Sequence, residues 1–100
     1  MTTPDDTIHQ PVRLRIMAAL TALPARADGI DFSRLKKLTG ATDGNLGAHI
    51  DTLVRARYVA VAKTFVGRRP RTTVVSTADG RRAFAAHVAF LRSVIDRSAE

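Results

Sequence analysis

Apolar positions along the chain follow two periods, and the change from one to the other divides it. Over residues 8–23 the apolar side chains recur at steps of three and four, as on one face of a helix. The same spacing returns over residues 31–57, where a short turn at 40–43 separates two helices. From Tyr58 the period falls to two, which is typical of a half-buried strand. The chain is therefore predicted to be helical first and extended afterwards.

Polar residues and a glycine mark the ends of the predicted helices. Asp31 is the expected N-cap of the second helix, and Gly40 is its expected C-terminal stop. Thr42 is placed to cap the third helix, which runs to about residue 57. Thr77 is placed to cap a last helix over residues 78–97.

Each of the two helices within residues 31–57 has one apolar stripe, which we expect to face a shared core. The inward positions are Phe32, Leu35 and Leu38 in the first helix of the pair, and Leu46, Ile50, Leu53 and Val54 in the second. The opposite side of the second helix, close to its start, carries small and polar side chains. That side is predicted to face solvent or a partner.

Residues 58–77 are predicted to form a β-hairpin with a basic tip. Val59, Val61 and Phe65 alternate with smaller or polar residues on the outgoing strand, and a β-branched run over 71–76 supplies the return strand. Helix, turn, helix and hairpin follow one another as in a winged helix-turn-helix. In that arrangement one helix fits the DNA major groove, and the hairpin flanks it.

Positive charge is concentrated in one stretch of the chain. The 100 residues carry 16 Lys and Arg against 9 Asp and Glu, a net charge of +7, yet residues 1–54 and 83–100 are each balanced. The excess lies in residues 55–82, which contain Asp79 as their one acidic residue. Their basic residues are Arg55, Arg57, Lys63, Arg68, Arg69, Arg71, Arg81 and Arg82. A block this localised is typical of a surface that binds a polyanion. A basic hairpin therefore favours DNA as the partner.

Composition excludes several other classes of protein. The chain has no cysteine, which rules out disulfides and thiolate zinc sites. Its short apolar runs fit one globular domain over residues 1–100 with no membrane span, and its N-terminus lacks the features of a signal peptide, so a cytoplasmic location is expected. Of the three histidines, His9 is expected at a surface end and His49 beside the predicted recognition face. Asp79 and His87 lack the further His and Glu partners that a metal site needs at ligand spacing, and no catalytic constellation is recognisable. We expect no metal, no cofactor and no enzymatic activity. We expect His87 to be a satisfied buried or interface histidine, and a pH-sensitive role at an interface stays open for it.

Six segments of the chain carry a family resemblance that extends over about residues 9–96. They are Pro11–Met17, Phe32–Gly40, Thr42–Ile50, Leu53–Val59, Gly67–Thr72 and Ser76–Arg81. In this order and spacing they resemble the winged helix transcriptional regulators of the MarR/ArsR superfamily, in its compact single-domain branch. The resemblance implies a homodimer that binds operator-like DNA and modulates transcription. The expected fold class is α+β and mostly helical, with a two-stranded wing hairpin and a C-terminal dimerisation helix.

Two groups of residues are predicted to contact DNA. On the recognition helix they are Thr42, Gly44, Asn45, Ala48, His49 and Thr52, and on the wing they are Arg68, Arg69 and Arg71, with Lys63 and Thr73 as lesser phosphate candidates. Asn45 is the predicted base reader because its amide can pair with adenine, although local capping is an alternative role. The arginines suit phosphate or the minor groove because the guanidinium group is planar and weakly hydrated.

The last helix carries two apolar stripes, whereas a helix on the outside of a small monomer needs only one. We therefore predict a two-fold dimer and, with it, a pseudo-palindromic operator. The predicted interface residues are Phe84, Val88, Leu91 and Ile95, assisted by Val12, Leu14 and Met17 of the first helix. Two alternatives stay open: a ligand-gated repressor with a small-molecule pocket at the dimer interface, and a winged helix that docks another protein.

Overall fold

Helices and one antiparallel sheet form the fold, as the sequence predicts. The computed structural model describes residues 3–98. Its helices are α1 (Asp6–His9), α2 (Pro11–Thr21), α3 (Phe32–Thr39), α4 (Asp43–Arg55) and α5 (Ala78–Ser98), and its strands are β1 (Ile30–Asp31), β2 (Val59–Val66) and β3 (Arg69–Ser76). The predicted fold class, a mostly helical α+β winged helix-turn-helix, is confirmed. Within the described part of the chain, no helix combines the length and the apolar character that crossing a membrane requires.

The caps predicted for three helices are formed. A carboxylate oxygen of Asp31 and the hydroxyls of Thr42 and Thr77 each accept a hydrogen bond from the backbone N–H three residues further on, at 2.8, 3.2 and 2.9 Å. Gly40 ends α3 in the left-handed conformation, with φ at 71°. Local side-chain chemistry thus sets the limits of the helix-turn-helix.

The single helix predicted over residues 8–23 is instead two helices, and α2 ends at Thr21. Gln10 separates them in an extended conformation, with ψ at 133°. The ring of Pro11 explains this break, because proline disfavours the helical conformation for the residue that precedes it. Asp5 caps α1, and the Gln10 side chain caps α2 by accepting from the Arg13 N–H at 2.9 Å.

One core joins the helices to the base of the sheet. Its buried members are Ile8, Ile16, Met17, Leu20, Ile30, Leu35, Leu46, Ile50, Leu53, Val59 and Val74. Two predicted inward positions, Leu38 and Val54, are exposed instead. Each is rotated by about 60 to 100° around its helix from the nearest buried leucine, which places it at the edge of the apolar face.

A two-residue strand that the sequence analysis missed joins the hairpin to the helical half. β1 pairs antiparallel with β3, with Ile30 opposite Val74, and the sheet order is β1-β3-β2. Gly29 makes this close approach possible, because a Cβ at that position would lie 2.3 Å from the Val74 carbonyl oxygen. The pairing places Asp31, the N-cap of α3, beside the hairpin.

The hairpin of β2 and β3 projects beyond the core. It ends in a two-residue turn that begins at Gly67, whose φ is 63°. The return strand β3 begins two residues earlier in the chain than the sequence predicts. Val59 is buried, but Val61 and Phe65 are exposed. The prediction of a half-buried outgoing strand is therefore wrong beyond its first residue, because nothing within residues 3–98 forms a second layer over the rest of the strand.

Helix α5 packs against the core along its first half. Gly80 lies so close to the base of the hairpin that a Cβ would stand 2.1 Å from the Tyr58 carbonyl oxygen. Phe84 packs against the core, and His87 is fully buried. Further along, Ile95 is 66% exposed. The second half of the helix therefore leaves the body of the chain with an apolar face uncovered.

Candidate nucleic-acid interface

The N-terminal half of α4 presents one exposed face to solvent. Leu46 and Ile50 anchor the opposite face in the core. Gly44, Asn45 and Ala48 are all exposed, and they lie close together at helical spacing. The structure thus brings together three of the residues that were predicted to contact DNA.

The hydroxyl of Thr42, and not the side chain of Asn45, caps this helix. The Thr42 oxygen accepts from the Asn45 backbone N–H at 3.2 Å. Among the residues that the structure describes, the Asn45 side-chain amide has no hydrogen-bond partner. Its donor and acceptor are therefore both available to a base edge.

Two glycines of α4 are not required by the fold itself. A Cβ added at Gly44 or at Gly47 would meet no heavy atom within 4 Å. Glycine inside a helix costs about 1 kcal/mol relative to alanine. With Ala48, these residues leave a patch on the helix where the backbone of α4 can approach a partner closely. Gly47 was not among the predicted site residues.

His49 lies at the border of this face and is held by Arg13 of α2. The Arg13 guanidinium donates to Nδ1 of His49 at 3.0 Å. Burial, and then the Arg13 charge, lower the pKa of His49. The ring is therefore neutral near pH 7, with its proton on Nε2 as a remaining donor. Arg13 was not singled out from the sequence.

Two predicted contacts are turned toward the protein itself. The Thr52 hydroxyl donates to the Ala48 carbonyl at 3.1 Å. Thr73 is 7% exposed, and its hydroxyl donates to the Ala62 carbonyl at 3.5 Å. Thr73 therefore does not fit the predicted role of a phosphate contact, and Thr52 uses its hydroxyl within the helix.

Most cations of the wing have no ion-pair partner among the residues that the structure describes. Lys63, Arg68 and Arg69 are exposed, and none of them forms an ion pair within the described residues. Arg71 differs, because its guanidinium lies 3.8 Å from the Asp31 carboxylate at the start of α3. This ion pair ties the wing to the helix-turn-helix and leaves Arg68 and Arg69 as the free cations of the tip.

Helix α3 adds basic residues that the sequence analysis missed. Lys36 and Lys37 line an open cleft of about 670 Å³ between α3 and the start of α4. The Lys36 ammonium lies 2.8 Å from the Asp43 carboxylate, so it neutralises an acidic group at the start of the recognition helix. The two adjacent lysines could have indicated a basic site on α3 from the sequence, but the zero net charge of residues 1–54 concealed them.

Arg81 and Arg82 belong to the fold and not to this surface. The Arg81 guanidinium donates to the carbonyls of Thr21 and Leu23 at 3.3 and 2.7 Å, and so satisfies the C-terminal end of α2. Arg82 forms an ion pair with Asp79. The basic block at residues 55–82 therefore combines a structural part with a part that is available to a partner.

The residues predicted for a dimer interface fall into three groups. Met17 is fully buried in the core of its own chain, so the prediction that it contacts a partner does not agree with the structure. Val12, Leu14 and Phe84 are half-buried and pack against that core. On α5, Val88 and Leu91 are half-buried and Ile95 is exposed.

The histidines do not assemble a metal site. His9 and His87 contact each other, whereas His49 lies on α4. Within residues 3–98 there is no group of three or more His, Cys, Asp or Glu side chains placed to hold a metal ion.

Comparisons with known proteins agree with this geometry. Residues 12–95 match the winged helix DNA-binding domain family. The chain is 34% identical over 73 residues to an uncharacterized protein of Methanocaldococcus jannaschii, across 73% of this chain and 75% of that protein. A solved structure of a transcriptional regulator homologue from Pyrococcus horikoshii is similar with a TM-score of 0.79 and 35% identity, over 92% of this chain and 87% of that one.

Proposed function

The chain belongs to the winged helix DNA-binding domain family and is a winged helix transcriptional regulator, and from this premise we propose how it binds. It binds double-stranded DNA sequence-specifically as a homodimer of the MarR/ArsR type. The recognition helix α4 enters the major groove, and the wing lies on the backbone or in the minor groove. The operator is a pseudo-palindrome.

The observation that carries this proposal is the uncovered face at the start of α4. An exposed amide at Asn45, without a partner in the described chain, stands beside Gly44 and Ala48. An Asn amide can make two hydrogen bonds to adenine in the major groove, and the small neighbours allow the close approach that such a pair requires. Asn45 therefore reads a base, while Ala48 is small enough to contact a thymine methyl group.

Unpaired cations on the wing and on α3 supply affinity. Arg68 and Arg69 at the wing tip and Lys37 on α3 are exposed and lack ion-pair partners among the described residues. Phosphate contacts of this kind orient a protein on the duplex but carry little sequence information. Unpaired arginines also favour DNA over another protein as the partner of the wing, because DNA is a polyanion.

The exposed half of α5 supports the dimer. Leu91 and Ile95 continue the face that Phe84 and His87 bury against the core, so a second chain would extend the same packing. Each large apolar side chain contributes about 1.5 to 3 kcal/mol when it is fully buried. Val88, Leu91 and Ile95 form the centre of the proposed interface, and Val12, Leu14 and Phe84 form its border.

Salt-dependent DNA binding tests the function. The wild-type protein is titrated with a pool of mixed-sequence duplexes at several salt concentrations, beside the Arg68→Ala/Arg69→Ala variant. The slope of log affinity against log salt should flatten by about two units, because each lost phosphate contact removes about one. A matched control, Arg26→Ala/Arg92→Ala, removes the same charge outside the wing and should keep the wild-type slope.

Two results would overturn the proposal. One is a wild-type protein that does not bind duplex DNA at low salt. The other is a wing variant whose slope equals that of the wild type, which would remove the wing from the interface.

A further inference from the structure

The wing tip is apolar as well as basic. Phe65 is 72% exposed and Val66 is 61% exposed, and both lie in the last two positions of β2 before the turn. Neither side chain takes part in the core of the free chain. Clustered exposure of this kind marks a contact surface.

The register of the hairpin shows how the tip is built. Phe65 lies directly opposite Pro70, and Val66 lies directly opposite Arg69. Directly opposed residues share one face of a two-stranded ribbon, whereas adjacent residues of a strand point to opposite faces. One face therefore ends in a phenylalanine and a proline, the other ends in a valine and an arginine, and Arg68 stands in the turn between them.

The cations determine which partner fits this tip. Arg68 and Arg69 have no carboxylate partner in the described chain, so the partner must bring negative charge. A second copy of this chain has a net charge of +7 and offers no surplus of carboxylates for these arginines, whereas the proposed dimer is joined by the apolar face of α5. The DNA minor groove offers both features that the tip needs: phosphates along its rims, and sugars and base edges inside.

We propose that Phe65 is an apolar DNA contact that the wing inserts into the minor groove, where it wedges at a base step while Arg68 and Arg69 hold the flanking phosphates. This inference rests on the proposed DNA-binding function and adds a residue to it. Apolar wedges of this kind partly unstack a step and bend the duplex. Pyrimidine–purine steps deform most easily, so the wing selects them through DNA shape and without a base-specific hydrogen bond.

A change at Phe65 separates this role from that of the arginines. Phe65 has no place in the core, so Phe65→Ala should keep the thermal unfolding temperature of the wild type. Binding to duplexes selected by the wild type from a mixed-sequence pool should fall about tenfold, the effect of leaving one apolar side chain unburied. The salt slope should stay unchanged because no phosphate contact is lost. Phe65→Leu is the matched control and should keep most of the affinity.

Duplex bending supplies an independent readout. Energy transfer between dyes at the two ends of the selected duplex should report a bend with the wild type and a smaller bend with Phe65→Ala. A second selection with Phe65→Ala should lose the preference for pyrimidine–purine steps at the wing position.

The outcomes distinguish this inference from the function on which it rests. If the wild type binds duplex DNA and Phe65→Ala binds and bends it equally well, the wedge is wrong and the DNA-binding function stands. If the wild type does not bind duplex DNA, both are wrong. Phe65-dependent binding to phosphatidylserine vesicles without any effect on duplex binding would overturn the wedge in favour of a membrane contact.

Discussion

The backbone N–H of Asp5 donates to Nδ1 of the fully buried His87 at 3.0 Å, and this bond sets the tautomer of the histidine. With Nδ1 as an acceptor, the neutral ring carries its proton on Nε2, which lies 3.3 Å from Nδ1 of His9 and donates to it. The prediction that His87 is buried with its hydrogen-bonding groups satisfied is confirmed. Tyr58 joins the same group, because its hydroxyl donates to the Asp5 carboxylate at 2.6 Å; that bond and then burial raise the pKa of Tyr58 to about 12.

Acidification should therefore destabilise the fold. Burial, and then the neighbouring His9, lower the pKa of His87, while the Asp5 carboxylate opposes them. The unfolded chain then binds protons more tightly than the folded chain. The stabilisation is complete above the unfolded pKa of about 6.5 and is lost as pH falls through the folded pKa. Urea unfolding between pH 8 and pH 5 measures this loss.

The pH dependence can be assigned by substitution. His49→Gln/His87→Gln lacks both histidines whose pKa values are lowered, so its unfolding free energy should vary less over the same range. A wild-type protein that gains stability on acidification contradicts the assignment, and so does a double variant with the wild-type pH profile.

Loss of the Asn45 amide should relax sequence selection. Asn45→Ala is expected to cost about 1 to 3 kcal/mol on the preferred site, while binding to unrelated duplexes barely changes. Thermal unfolding should be unaffected, because Thr42 caps the helix. Thr42→Ala is the converse control and should lower stability by about 1 kcal/mol. An equal loss on every sequence would argue against base reading by Asn45.

Filling the glycine patch of α4 should separate stability from binding. Gly44→Ala places its methyl group in open space, so we expect a gain of about 1 kcal/mol in unfolding free energy together with weaker DNA binding. Gly80→Ala is the contrasting control: its methyl group meets the Tyr58 carbonyl at 2.1 Å and should destabilise the fold. If Gly44→Ala binds DNA as tightly as the wild type does, α4 does not approach DNA along this face.

A charge on the exposed half of α5 should separate the proposed dimer. Leu91→Glu is expected to give folded monomers by sedimentation equilibrium at micromolar concentration, with a large loss of specific binding. Ala89→Glu places the same charge on the solvent side of the helix and should leave the dimer intact. A two-fold dimer spans half-sites about 34 to 36 Å apart. A monomeric wild type, or a selected site without two-fold symmetry, would contradict the prediction.

Features that depend on neighbouring residues could be predicted from the sequence. The caps at Asp31, Thr42 and Thr77 each join a side chain to a backbone group three residues away, so the local sequence contains the whole interaction. The exposed face of α4 could be predicted equally well, because the buried stripe of Leu46 and Ile50 determines which face lies opposite to it.

Features that depend on distant contacts could not be predicted. Alternation along β2 predicts a strand, but it does not reveal whether a second layer covers Val61 and Phe65. On the sequence alone Arg81 counts as part of the basic block, although its partners are the carbonyls of Thr21 and Leu23, far away in the sequence. The zero net charge of the first half concealed Lys36 and Lys37 because a sum does not show where charges lie.

The pairing of Ile30 with Val74 has a consequence for the order of events during synthesis. Both helices of the helix-turn-helix lie in the loop that this pairing closes, so they leave the ribosome before the strand that completes their surroundings. Closing so long a loop costs chain entropy, which only the assembled core offsets. We therefore expect the residues of the recognition helix to have left the ribosome well before the chain can form the folded core that holds this helix against DNA.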